Sequence, residues 1–242
     1  MKATQVLRDE HEDILAMLAA VEATAHRLQS GKEIPSDLIT NAVGFFRNFA
    51  DRCHHGKEED ELFPALEQRG VPKQGGPIGV MLAEHNQGRA FIRGMGDAAD
   101  KYAQGDKPTV SVLIQNTLGY VNLLRQHIWK ENNALFLMAD QILSEADQDK
   151  LYDVFEQIEQ TRTGPGEHER YHAMIVEYQQ VVASWTKTRW HGGFHRVIVS
   201  LAIRHTSDLF SPRVRDTITS RMNLQGGGSW RHLASPILLH RN

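Results

Sequence analysis

Cysteine is nearly absent from this chain. Cys53 stands alone among 242 residues, which excludes an internal disulfide and suits a reducing compartment. Proline is scarce, at 8 residues, and no stretch approaches the roughly 18 apolar residues that a membrane helix needs. The opening residues, "MKATQVLRDEHED", carry charges where a secretory signal would have an apolar run. Gly-rich phosphate loops and Ser/His/Asp signatures are not apparent. These absences lead us to expect a cytoplasmic protein without a membrane anchor.

The formal charge of −3 conceals an uneven distribution. Residues 186–242 carry a net +7, leaving −10 on residues 1–185. Acids vanish after Asp216, "GGG" interrupts at 226–228, and hydrophobic periodicity is lost. Residues 185–242 are therefore expected to form a basic tail of low order. A basic arm for nucleic acid or lipid, and a segment foreign to the domain, are the other readings of this composition.

Before residue 185, helical signals dominate and strand-like alternation is scarce. The spacing of Val6, Leu7, Ile14, Leu15, Leu18 and Val21 predicts a first helix over 3–30. A second runs from "PSD", with Ser36 as candidate N-cap, to Gly70, and "VPKQGGP" then forms a loop. A third spans 77–104 and a fourth 108–142. Ser144 caps a fifth that runs to about 162, and a sixth covers 166–184. The expected fold is all-α: an up-down four-helix bundle over 1–143, with an accessory helical hairpin over 144–184 packed on it.

An internal repeat selects the residues that carry chemistry. "RCHHGKEEDELF" (52–63) aligns with "RQHIWKENNALF" (125–136), pairing His54 with His127, Lys57 with Lys130 and Glu58 with Glu131. Upstream, Glu10-His11 aligns with Glu84-His85 at nearly the same offset. Each half thus offers one lone histidine and one His-x-x-x-Glu, whose two side chains share a helix face. His55 and Glu59 face Ile128 and Asn132 in the alignment, so the repeat sets them aside.

Four histidines and two glutamates buried in a bundle core would be costly without a cation. Imidazole with a bridging carboxylate suits iron, manganese or zinc, and the lack of thiolates argues against a structural zinc knot. The candidate ligands are His11, His54, Glu58, His85, His127 and Glu131. Glu10 and Glu84 are candidates to orient the imidazoles, or else solvated acids. Cys53 is expected to face away from the metals, and His168 and His172 to be ordinary surface residues.

With "HHGKEEDELFPAL" and "HIWKENNALF" in one chain, residues 1–142 resemble the hemerythrin-like HHE cation-binding family. The resemblance implies a non-heme di-iron centre on those six side chains. It also implies small ligands such as dioxygen, peroxide or nitric oxide, with a protein partner or homo-oligomer in some roles. The expected function is to bind or reduce dioxygen or peroxide. Sensing of oxygen or iron without turnover, and nitric oxide handling, are the alternatives. Oxygen carriers of the family resemble His-x-x-x-His on the third helix, whereas here Arg89 stands four residues after His85. A fifth imidazole is thus expected to be missing, leaving coordination positions open to exogenous ligands.

Overall fold

The protein is described here by a computed structural model covering residues 2–164 and 166–187. The tail expected over 185–242 lies outside the described residues from 188 onward. All regular structure among the described residues is helical, in six helices once consecutive helical segments are joined. Helix α1 is Ala3–Gln29, and α2 spans 36–68. Helix α3 is Pro77–Ala103, α4 spans 109–142, α5 spans 145–163, and α6 is Glu167–Lys187.

Local chemistry explains most of the boundaries. At the end of α1, Gly31 takes φ +73°, a conformation open to glycine because it has no Cβ. Its amide bonds to the Leu28 carbonyl while the Lys32 amide bonds to that of Arg27, closing the last turn. The same cap recurs at Gly70 and Gly105. Ser144 caps α5 as expected, its hydroxyl accepting from the Asp147 amide while the Asp147 carboxylate accepts from the Ser144 amide. Ser36 departs from expectation. It is the first helical residue of α2 and makes no capping bond.

Three helices contain wide turns, α5 at its end over Glu159–Thr163. Helix α2 is π-helical over Phe46–His55 and Glu58–Leu62, and α4 over Glu131–Leu135. The last two segments begin on the paired glutamates of the repeat. Such turns recur at functional sites, where they re-aim side chains.

Apolar burial falls into two clusters. One gathers Ile14–Val21 side chains of α1, Phe45, Phe46 and Phe49 of α2, Ile92 and Met95 of α3, and Tyr120–Ile128 side chains of α4. Tyr171, Ile175 and Tyr178 of α6 join it at one-turn spacing, and Tyr178 Oη lies 3.1 Å from Thr24 Oγ1. The other unites Ala3 and Leu7, Leu62 and Phe63, Ile78 and Met81, and Leu135 and Phe136, closed by Leu151 and Phe155 of α5. On α1, α2 and α3 the repeated histidines and glutamates lie between the two clusters, and on α4 Glu131 does, with His127 directly before Ile128. A polar layer thus lies between two apolar ones.

Candidate metal centre

Each predicted ligand is in that layer, and each is buried: His11, His54, Glu58, His85, His127 and Glu131 are all 1% exposed or less. The layer takes one imidazole from α1, one from α3, and a His-x-x-x-Glu from each of α2 and α4.

The rings share one orientation rule. His54 Nδ1 lies 2.8 Å from Glu10 Oε2, His127 Nδ1 3.0 Å from Glu84 Oε2, and His85 Nδ1 2.6 Å from Glu59 Oε1. His11 Nδ1 lies 2.9 Å from Asn132 Oδ1. Carboxylate and amide oxygens only accept, so each Nδ1 donates and each Nε2 faces inward, where a deprotonated ring can bind a cation. That is how proteins commonly orient metal-binding histidines. Glu10 and Glu84 thus orient rings, one of the two readings open from sequence. Each also pairs with the lysine three residues after its histidine, Lys57 and Lys130.

Glu59 and Asn132 extend the repeat in a way the alignment hid. Both follow the inward glutamate by one residue, and each holds the lone histidine of the other half of the repeat. They differ in type, but an acceptor at that register was the available signal.

The inward atoms form two overlapping groups. In one, ligand atoms of His11, His54, Glu58 and Glu131 lie within 4.8 Å of one another; in the other, those of His55, Glu58, His85 and His127 do. Glu58 belongs to both. Glu131 also reaches towards the second, with Oε1 3.2 Å from His127 Nε2.

His55 is the departure from the sequence reading. Its ring stacks on that of His85 with centroids 3.8 Å apart, and it is buried. The π-helical winding of Phe46–His55 is the reason, since more residues per turn bring neighbouring side chains closer in direction. A fifth imidazole, expected to be missing, thus stands among the buried candidate donors, on α2. In the other hairpin its counterpart is the buried, apolar Ile128, so the two groups are unequal. Arg89 lies outside both groups. Its Nε and Nη2 bind Asp51 at 2.8 Å and Glu59 at 2.6 Å, and these carboxylates face His55 and His85 respectively. Cys53 is buried and belongs to neither group. His168 and His172 are both partly buried beside Asp13, and the His168 ring packs edge-on against Phe49, so neither is the ordinary surface residue expected.

Electrostatics explain why the layer calls for cations. Burial drives the Glu58 carboxyl well above its ordinary range, and the facing Glu131 adds to the rise. Burial pushes Glu131 up too, but His127 and His11 outweigh it and hold that carboxylate well below. Burial takes the His54 imidazole down to about 4, and lowers His55 and His85 as well. His127 moves the other way, because Glu131 and Glu84 overcome burial and raise it to about 9. Both carboxylate oxygens of Glu58 and of Glu131, with Nε2 of His11 and His54, are buried without a hydrogen-bond partner. Each such group costs roughly 1–3 kcal/mol, and more when charged. Cations between them would remove that cost, so the donor set fits a metal pair.

Residues 2–139 match the family model described as the hemerythrin HHE cation binding domain. The chain belongs to that family. The matched region holds both groups of donors, and α5 and α6 lie beyond it. This hemerythrin-like chain is also 25% identical over 162 residues to uncharacterized proteins of Mycobacterium tuberculosis and Mycobacterium bovis. The alignment covers 67% of this chain and 63% of each relative, so the chain spans less than two thirds of their length. No solved structure matches it.

Unequal groups make a test within the hemerythrin-like domain. Substitution His55→Ala is expected to weaken the ion beside His85 and His127, and His54→Ala the ion beside His11. Each loss should reach at least the roughly 10–100-fold that removing an outer partner costs. Metal per chain, measured after desalting at matched protein concentration, reads this out. Full metal retention in His55→Ala would restore the register drawn from the repeat alone.

Proposed function

We propose that this chain holds a pair of iron ions and uses them to bind or reduce dioxygen or peroxide. The observation that carries the reading is the pair of buried donor groups sharing Glu58. The same reading takes α1 to α4 as an up-down bundle. It is supported by short connections and by one apolar cluster that gathers the starts of α1 and α3 with the ends of α2 and α4. No helix among the described residues is long and apolar enough to cross a membrane. With a single cysteine in the chain, we place its work in the cytoplasm.

A bound iron pair supplies redox chemistry towards small oxygen-containing ligands. The protein's share is to orient, shield and bias. His55, His85 and His127 would hold one ion and His11 and His54 the other, so an ion on the His11–His54 side would have one imidazole fewer. His11 is held by a neutral amide, unlike the carboxylate-backed rings, which makes it the weaker donor. Its ring stacks on Phe136 with centroids 5.5 Å apart, and that apolar wall keeps bulk water from this side.

Peroxide consumption by the iron-loaded chain tests the reading. The expected rate is far above that of an equal amount of free iron, and His54→Ala should lower it while the fold persists. A rate equal to free iron would remove the enzymatic reading. One observation favours a sensor as the second reading: α5 contacts the ligand-bearing stretch of α2 through Lys57–Glu159. Metal-dependent protection of α5 and α6 in hydrogen exchange, without turnover, would transfer the function to that reading.

A further inference from the structure

The last turn of α5 lies across the ligand-bearing stretch of α2 and joins it through two ion pairs. Lys57, directly before Glu58, is completely buried, and its ammonium binds Glu10 together with Glu159 Oε1 at 2.7 Å. The Phe155 ring closes over it, with its centroid 5.9 Å from the ammonium. Three positions beyond Lys57, Asp60 Oδ2 meets Arg162 Nη1 at 2.6 Å. A Cβ on Gly56 would come within 2.8 Å of that same Nη1. The "GK" of "HHGKEED" therefore serves α5: glycine lets the guanidinium approach, and lysine reaches the Glu159 carboxylate.

Charge then links α5 to an imidazole. Glu10 has both oxygens committed, Oε1 to Lys57 and Oε2 to His54 Nδ1. Where Lys57 sits decides where Glu10 sits, and Glu10 sets the direction of the His54 ring. A buried ammonium holds one position only if its hydrogen bonds are met on several sides. Glu159 accepts a second hydrogen bond from that ammonium. In the other half of the repeat, Lys130 pairs with Glu84 in the same way but is 33% exposed, so its remaining donors are open to solvent. Glu10, Glu159 and His168 also bring ligand atoms within 4.8 Å of one another, but the Lys57 ammonium already lies between the two carboxylates.

We propose that Glu159 is a positioning residue of the metal centre, acting through Lys57 and Glu10 to fix the His54 imidazole. Helix α5, outside the matched family domain, thereby completes the two-imidazole group. This rests on the paired-cation reading, and the test separates the two. The metal-free full chain is titrated with cobalt(II) against a chelating competitor, with its visible absorption as readout. Wild type is expected to show two binding steps. Glu159→Ala should weaken one step by roughly 10-fold or more and leave the other within about twofold. Glu159→Gln keeps an oxygen that accepts from Lys57; its loss should be intermediate, and it carries the test if the alanine variant folds poorly. Arg162→Ala breaks the partly exposed ion pair of the same turn and should leave both steps in place. Two unchanged steps in Glu159→Ala, or two steps lowered alike in both Glu159→Ala and Arg162→Ala, would overturn the positioning role. A wild-type chain with fewer than two steps would overturn the paired-cation reading instead.

Discussion

Substitution Glu58→Ala should empty both metal positions together, and Glu58→Gln should do the same. Glu58 is completely buried and belongs to both donor groups, so in the paired-ion proposal its carboxylate would be the anion both cations share. Two dications roughly 3.5 Å apart repel by on the order of 20 kcal/mol at an effective dielectric of 20, before any anion intervenes. Removing the shared negative charge leaves that repulsion opposed by Glu131 alone. Metal content is expected to fall from two ions per chain to well below one, a greater loss than either His54→Ala or His55→Ala causes. The glutamine variant isolates charge from shape: if Glu58 only filled space, Glu58→Gln would bind normally. Retention of one full ion with a clean mononuclear spectrum would count against bridging.

Removing the metals from the wild-type chain should cost much of its thermal stability. A ligand present at about 1,000 times its dissociation constant adds about 4 kcal/mol per site to the folded state. For a chain of this size each kcal/mol shifts the midpoint by roughly 2–4 °C, so stripping two ions should lower it by roughly 15–30 °C. The physical origin is local. Without cations, the carboxylates of Glu58 and Glu131 and the inward nitrogens of His11 and His54 are buried without hydrogen-bond partners. The paired substitution Glu58→Leu with Glu131→Leu removes those charges and should melt near, or above, the stripped wild type, with no response to added metal. Thermal melts with and without chelator measure both effects. A midpoint indifferent to chelation would mean that the polar layer is satisfied without cations.

The helices and most of the site were legible from residue types and spacing. Hydrophobic periodicity placed α1 and α3 to within a residue or so, because glycine caps end both in ways the sequence announces at Gly31 and Gly105. The repeat found His11, His54, Glu58, His85, His127 and Glu131 because both halves kept the same residue type at the same offset. It failed where the halves diverge. His55 has Ile128 as counterpart, so the repeat carries no sign of it, although it is buried beside His85. Glu59 and Asn132 were lost for a related reason: the shared property is an acceptor oxygen, not a residue name. The contact of Glu159 with Lys57 joins residues 102 positions apart. No periodicity carries such a pairing.

The most direct measurement is anomalous scattering at the iron absorption edge from crystals of the iron-loaded chain. Two peaks are expected in the polar layer, one beside His11 and His54 and the other beside His55, His85 and His127, with Glu58 between them. A single peak in that layer, or none, would contradict the paired-ion account.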